Sequence, residues 1–196
     1  MSSHNPGSLV AMTELGLANE MGSGKVRWRA IRESLKGALI SGTGSNITAI
    51  ALSADSEWLA YGRRNVGVAV LKLHGGSGAE LVFPMTNSSL SGVITAIYLH
   101  RTGSGKSASY VLYAGDQQGV LASWHFKDEH STIANPQVIA TELGGITAIH
   151  EHQEELYVAV KDGTKVVKLS ISNGRVQQDF PQCSSPPIRS ITAAKH

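Results

Sequence analysis

Ile47-Thr48-Ala49-Ile50 is the first of four copies of one short apolar stretch, and this repeat decides the fold. The later copies share the Ile-Thr-Ala start and are Ile94-Thr95-Ala96-Ile97, Ile146-Thr147-Ala148-Ile149 and the partial copy Ile191-Thr192-Ala193-Ala194. Successive copies lie about 45 to 52 residues apart, and the longest interval contains the polar insert 101–107. A stretch that recurs at a nearly constant spacing predicts a structure built of repeated units.

Each copy is followed by the same series of short runs that are rich in β-branched and aromatic residues. The runs are 58–62, 66–73 and 81–83 after the first copy, 110–115, 119–126 and 138–140 after the second, and 156–160, 166–171 and 176–180 after the third. A weaker set, 9–12, 15–18, 25–29 and 38–40, precedes them. Turn residues (Gly, Asp and Asn) separate the runs, a pattern typical of short strands. The repeat copy and the three runs after it therefore predict four strands in each unit.

Four strands in a unit of roughly 40 to 50 residues are typical of a β-propeller blade. The Ile-Thr-Ala starts and the turn Asp116-Gln117-Gln118-Gly119 leading to Trp124 resemble the WD40 family over nearly the whole chain. The sequence departs from the family pattern, since His125 rather than Asp follows Trp124 and no Gly-His pair precedes the first strand. We therefore expect an all-β fold, a divergent WD40-like β-propeller whose blades have four antiparallel strands.

The repeat places the blades at 8–44, 45–90, 91–143 and 144–187, with the start of a further blade at 188–196, in a single propeller region 1–196. The resemblance implies a ring that most often has seven blades, which four blades do not close. We expect an incomplete or split propeller, because an open ring leaves sheet faces and strand edges uncovered. A closed ring of four to five blades is the alternative.

The repeat also predicts which side chains lie on the axis. Ala49, Ala96 and Ala148 are expected to be buried there, because only small side chains fit where the inner strands converge. The isoleucines two positions before them, Ile47, Ile94 and Ile146, are expected to share their face of the strand.

One segment allows a second interpretation. The apolar residues between 26 and 39 also have helical spacing, which makes a helix over 30–36 an alternative to the strand.

Basic residues are concentrated near the N-terminus: Lys25, Arg27 and Arg29 alternate with apolar residues, and Arg32 and Lys36 follow. On a strand they form one basic face. Such a face suits an acidic protein or RNA phosphates. The simpler interpretation is a solvated outer edge, where positive charge discourages aggregation.

His100 and His152 occupy the same position in successive repeats, so neighbouring blades are expected to bring them close together. Two imidazoles could supply two ligands of a metal site. The sequence offers no third ligand, so no metal site is predicted. We assign both histidines, together with Ile191 in the last repeat copy, to the interaction surface.

No catalytic or cofactor-binding residue is predicted. Gly103-Ser104-Gly105-Lys106-Ser107 looks like part of a phosphate-binding loop, but His100 stands where that motif requires a glycine. A strand is expected to follow it, so the segment is interpreted as a hairpin loop. The single cysteine, Cys183, has no partner spacing that suggests a nucleophile.

Composition limits the remaining classes. The chain has 196 residues, 41% hydrophobic and 16% charged, with a formal charge of +2. No apolar run is long enough to span a bilayer, no secretory signal pattern opens the sequence, and one cysteine fits a reducing compartment. We expect an intracellular protein, cytoplasmic or nuclear, with no membrane partner.

These observations together predict a non-catalytic protein–protein interaction scaffold within a multi-subunit assembly. Its expected partners are other protein subunits, one of which completes the propeller, and no cofactor is expected. Two alternatives stay open. One is an RNA- or nucleoprotein-associated propeller that uses the basic stretch 25–36, and the other is a quinoprotein-like propeller enzyme with its chemistry on the axis.

Overall fold

The computed structural model describes the backbone at 10–12, 16–20, 25–30, 38–41, 47–64, 67–74, 80–84, 90, 92–180 and 188–191. Side chains are described from residue 47 onward within these ranges, except at 84 and 106. The described residues form sixteen β-strands and one three-residue 3-10 turn, Gly105–Ser107. No helix in this part of the chain has the length and apolar character needed to cross a membrane.

Each group of four consecutive strands forms one antiparallel sheet in chain order. Sheet 1 contains β1 (Val10–Met12), β2 (Gly16–Glu20), β3 (Lys25–Ala30) and β4 (Ala38–Ser41). Sheet 2 contains β5 (Ile47–Leu52), β6 (Trp58–Arg63), β7 (Gly67–Lys72) and β8 (Glu80–Pro84). Sheet 3 contains β9 (Ile94–Thr102), β10 (Ser109–Asp116), β11 (Leu121–Phe126) and β12 (Gln137–Ala140). Sheet 4 contains β13 (Ala148–His152), β14 (Glu155–Val160), β15 (Lys165–Ser170) and β16 (Val176–Asp179). The all-β class and the four-stranded antiparallel unit are confirmed.

The sheets pack face to face in chain order, through contacts of β1 with β5, β5 with β9, and β9 with β13. Sheets 2 and 3 bury an aromatic cluster in which Trp58 meets the edge of Phe126 at 5.1 Å and Phe83 meets Trp124 at 5.7 Å. Sheets 3 and 4 bury an aliphatic cluster that includes Ile146, Leu156 and Val158. Both faces of sheet 3 are therefore covered, and the hydrophobic core lies between sheets rather than under one of them.

The expected burial of the repeat alanines is confirmed, since Ala49, Ala96 and Ala148 are only 4%, 5% and 6% exposed. The expectation for the isoleucines is wrong. Ile94 packs in the cluster between sheets 2 and 3, whereas Ala96 packs in the cluster between sheets 3 and 4.

A β-bulge explains this reversal. Ala96 pairs with Gly115 and Ile94 pairs with Asp116, so Thr95 is an extra residue on β9. Thr48 is the extra residue on β5 in the same way. One unpaired residue reverses the alternation of faces, so each isoleucine points back to the preceding sheet and each alanine points forward.

Ala30 is the one described residue of the helical alternative at 30–36, and it is the last residue of β3. The remainder, 31–36, lies outside the described residues. Val26 pairs with Ile40 on one side and with Glu20 on the other, which places the residues of β3 in the interior of sheet 1.

We predict that Gly115→Ala destabilises the fold through sheet packing alone. A Cβ at Gly115 would lie 2.6 Å from Ile146 Cγ2, and the φ angle is not one that requires glycine. Overpacking of this kind costs about 1–3 kcal/mol of unfolding free energy, measurable by urea denaturation. Ile146→Ala removes that Cγ2, so the double variant should lose less stability than the two single losses together. Strictly additive losses would show that this contact is not the cause.

Candidate functional site at the axis

The inner strands of sheets 2, 3 and 4 surround a cavity on the axis. Its volume is about 430 Å³. Three walls are the same tripeptide of the repeat, and the fourth is a segment that follows sheet 4; the lining residues are Thr48, Ala49, Ile50, Thr95, Ala96, Ile97, Thr147, Ala148, Ile149, Arg189, Ser190 and Ile191. The repeat that defines the fold thus also lines the axis, and Ile191, one of the predicted interaction residues, lies in this wall.

The fourth wall is attached to sheet 4 by two hydrogen bonds. The Ile188 amide donates to the Gly163 carbonyl at 2.8 Å, and the Thr147 hydroxyl donates to the Ile188 carbonyl at 2.6 Å. Thr95 makes a related bond between sheets, since its hydroxyl donates to the Ile146 carbonyl. Thr95 and Thr147 therefore link sheets 3 and 4 to the next segment along the chain. The Thr48 hydroxyl is buried and has no such partner among the described residues.

Arg189 is the one charged residue among the described lining residues. Its side chain is exposed, and it makes no ion pair with any residue that the structure describes. The axial cavity therefore carries a positive charge that no described residue neutralises.

A second polar cluster lies further along β9 and β13, where these strands finish. His100 Nδ1 is in direct contact with Glu151 Oε2, and the Glu151 side chain is only 7% exposed. The Tyr98 hydroxyl donates to the Glu151 carbonyl at 3.5 Å, and the Tyr98 ring lies 5.1 Å from the ring of His150.

The predicted neighbour of His100 was His152, but the ion-pair partner of His100 is Glu151. His152 lies at the end of β13, paired with Glu155 on β14. In the described part of the chain, no three His, Cys, Asp or Glu side chains form a group that would hold a metal ion.

Burial shifts the pKa values in this cluster. It lowers the pKa of His150, and the neighbouring His152 and His100 lower it further, against the opposing effect of Glu151. Burial is also the main reason why the pKa of Tyr113 rises to about 12, with Glu151 adding to the shift. The folded protein therefore favours a neutral His150.

Glu151 also supports a strained hairpin that the sequence did not indicate. Gln153 and Glu154 join β13 to β14 with φ angles of 53° and 63°, values that side-chain-bearing residues rarely adopt. The Glu154 amide donates to Glu151 Oε1 at 3.0 Å. A Gly or Asn would have signalled this turn, and neither is present.

A third group of polar contacts links sheets 2 and 3 at the same end of the strands. Asp55 Oδ2 accepts a hydrogen bond from the Tyr110 hydroxyl at 2.9 Å and lies 2.8 Å from Arg101 Nε. Asp55 Oδ1 accepts from the Ser53 hydroxyl at 2.6 Å. Burial, followed by the bond to Asp55, raises the pKa of Tyr110 to about 12. The repeat pattern of the sequence did not indicate this role of Asp55.

The structure locates the basic stretch only in part. Lys25, Arg27 and Arg29 alternate along β3, so period-two geometry places them on one face of sheet 1. Because β3 pairs with both β2 and β4, the interpretation of these residues as an outer edge is wrong. Arg32 and Lys36 lie outside the described residues, as does Cys183.

The glycine-rich segment 103–107 joins β9 to the antiparallel strand β10 and contains the 3-10 turn. This is the hairpin loop that the sequence predicted. A strand follows it, so the helix N-terminus of a phosphate-binding loop has no counterpart here.

No family model matches the sequence, and no curated protein matches it either. Among solved structures, the chain is similar to a chain of the mitotic checkpoint complex, with a TM-score of 0.62, 14% identity, and coverage of 92% of this chain and 55% of that one. It is also similar to a chain of the nidogen/laminin complex, with a TM-score of 0.60, 10% identity, and coverage of 87% and 62%. A third similar structure is the computationally designed Ika4 protein, with a TM-score of 0.56, 18% identity, and coverage of 87% and 94%.

These similarities show the fold alone, which is propeller-like. This chain spans 62% of the matched chain in the nidogen/laminin complex and 55% of that in the mitotic checkpoint complex.

We predict that acid destabilises the protein through His150. The folded-state pKa of His150 lies below its ordinary value of 6.5, so the unfolded chain binds the proton more tightly. Its contribution to stability is therefore complete above pH 6.5 and is lost as the pH falls through the folded-state pKa. Urea denaturation between pH 7.5 and 5.5 should show this loss, and His150→Gln should reduce it.

His125→Gln is the matched control, because His125 is exposed on β11. An equal pH dependence in the native chain and in His150→Gln would contradict the assignment to His150.

Proposed function

We propose that this chain is a non-catalytic protein–protein interaction scaffold, a WD40-like propeller or part of one, within a multi-subunit intracellular assembly of the cytoplasm or nucleus. The observation that carries the proposal is the linking of neighbouring sheets at the end of the axis. Asp55 joins sheet 2 to Arg101 and Tyr110 of sheet 3, and His100 joins sheet 3 to Glu151 of sheet 4. Hairpins from three sheets are thereby held as one preorganised surface, which lowers the entropic cost of binding a partner.

The WD40 resemblance is supported by the turn that leads to Trp124. The carboxylate of Asp116 is fully buried and accepts hydrogen bonds from the amides of Gly92, Gln118 and Val120 at 3.1, 2.9 and 2.9 Å. This side chain ties the hairpin between β10 and β11 to the residues that precede β9. The indole nitrogen of Trp124 is buried and has no hydrogen-bond partner among the described residues.

The face of sheet 4 that points away from sheet 3 carries Tyr157, and we call it the flank of sheet 4. Its exposure supports the proposal that a partner continues the ring. Tyr157 on β14 holds the position that Tyr113 holds on β10, and both point away from the preceding sheet. Sheet 4 buries Tyr113, whereas Tyr157 stays half-exposed. Among the described strands, β13 makes no contact with β1 comparable to those between successive inner strands. We propose that a further blade, supplied by another subunit or by further polypeptide, covers this flank.

The scaffold proposal is tested by affinity capture with the full chain under nuclease treatment. Reproducible recovery of the same protein subunits, cross-linked through a photoreactive residue in place of exposed Gln153, supports it. Partners that disappear after nuclease treatment or at moderate salt would instead favour the RNA-associated alternative. Failure to recover any specific protein would contradict the scaffold.

We predict that the chain expressed alone self-associates or aggregates, because a half-exposed sheet face of this kind is rarely left open in monomers. Sedimentation velocity at several concentrations measures this, and co-expression with the captured subunit should reverse it. Tyr157→Glu should weaken the association by placing a charge in the flank.

Val82→Glu is the control, since Val82 is 40% exposed on the outermost strand of sheet 2. A compact monomer that survives dilution and melts in one sharp transition would contradict the open ring and favour a closed ring of four to five blades.

A further inference from the structure

We propose that the axial cavity binds a carboxylate side chain of an acidic peptide segment in a protein partner, and that Arg189 recognises it. The proposal rests on the proposed function, because it names the chemistry of a protein partner. The cavity volume of about 430 Å³ lies within the range of ligand pockets, roughly 300–1,000 Å³.

Charge is the first argument for an anionic group. Arg189 is the one cation among the described lining residues, and no described carboxylate pairs with it. The hydrogen bonds of Ile188 to Gly163 and Thr147 fix the backbone just before Arg189. The guanidinium of Arg189 can offer two parallel N–H donors to a carboxylate from this fixed backbone position.

The inner strands supply the second argument. β5, β9 and β13 are each the first strand of their sheet and pair on one side only. Their other edge faces the axis and presents backbone N–H and C=O groups to the cavity, as the edge of any sheet does. A carboxylate accepts hydrogen bonds from such amides, and the flanking peptide backbone can use the carbonyls.

The apolar lining restricts the ligand further. Seven of the described lining residues are apolar: Ala49, Ala96, Ala148, Ile50, Ile97, Ile149 and Ile191. Several of their side chains, among them those of Ala96, Ile97 and Ile149, pack between the sheets, so only part of this apolar surface reaches the cavity. Apolar side chains next to the carboxylate would bury surface here. The preferred segment is therefore an acidic residue flanked by apolar residues.

A nucleic acid suits this cavity less well than a peptide. Nucleic-acid binding draws its affinity from several phosphate contacts made by several cations, and the described lining supplies Arg189 alone. The single cation of the described lining matches one carboxylate.

The experiment is a methyl NMR titration of the full chain, labelled at Ala and Ile methyl groups and studied in the assembly in which it is soluble. The probes are N-acetyl-Leu-Glu-Leu-amide and its Gln analogue. We expect the Glu peptide to shift the methyl signals of Ala49, Ala96 and Ala148, and the Gln peptide to bind roughly tenfold more weakly or less. Arg189→Gln should weaken the Glu peptide by roughly the same factor.

Arg175→Gln is the matched control, because Arg175 is an exposed arginine in the hairpin between β15 and β16. It removes the same charge and should leave peptide affinity unchanged. Equal binding of the Glu and Gln peptides, or full affinity in Arg189→Gln, would overturn the proposal, as would silent alanine methyls. A short oligouridylate that shifts these methyls more strongly than the peptide would also overturn it and assign the site to nucleic acid.

The two proposals fail separately. If Arg189→Gln and the native chain capture the same subunits while the peptide does not bind, the scaffold stands and the carboxylate site is wrong. If the chain captures no specific protein but the Glu peptide binds through Arg189, the carboxylate site stands and the scaffold is wrong.

Discussion

The contact between an isoleucine at the start of one inner strand and a glycine in the preceding sheet sets the spacing of the sheets. A Cβ at Gly62 would lie 3.1 Å from Ile94, and one at Gly115 would lie 2.6 Å from Ile146. Only a residue without a side chain allows the next sheet to approach this closely. The bulged Thr95 is what turns Ile94 back toward Gly62, and Thr48 is bulged in the same way after Ile47. The repeated tetrapeptide therefore determines the packing between neighbouring sheets as well as the start of each inner strand.

This dependence explains how far the sequence alone could predict the structure. The number of strands, their order and the burial of Ala49, Ala96 and Ala148 follow from periodicity, which the chain displays openly. The face of Ile94 does not follow, because a bulge is a pairing irregularity that leaves no mark on the alternation of residue types. The position of Lys25, Arg27 and Arg29 inside a sheet depends in the same way on partners, β2 and β4, that the local pattern does not reveal.

The sequence predicted at which level along the axis the polar residues of the candidate site lie, but it did not predict which residues they contact. Ser53, His100 and His152 each stand six residues after the start of a repeat, and two of them contact carboxylates. Equal distance from the start of each repeat places these three residues at the same level along the axis. It does not tell which side chain of the next sheet lies opposite, so Glu151 was not identified as the partner of His100. Arg189 was missed for a different reason, since it lies just outside the repeated tetrapeptide and acquires significance only where the chain returns to the axis.

The face of sheet 4 that points away from sheet 3 lacks the glycine that sheets 2 and 3 have at the corresponding position. The position of Gly62 and Gly115 in their sheets is taken in sheet 4 by Ala159, which pairs with Ala148 as Gly115 pairs with Ala96. Ala159 is fully buried, so its methyl group already fills the space that an isoleucine of the next unit would approach. The segment at 188–191 is joined to sheet 4 through the Ile188 amide and carbonyl. A methyl group at this position leaves less room for a close approach than the glycines of sheets 2 and 3 do. Among the described residues that line the cavity, those of the wall that carries Arg189 depart from the Thr-Ala-Ile tripeptide of the other three walls. A departure from the repeat is where a site specific to this chain can arise.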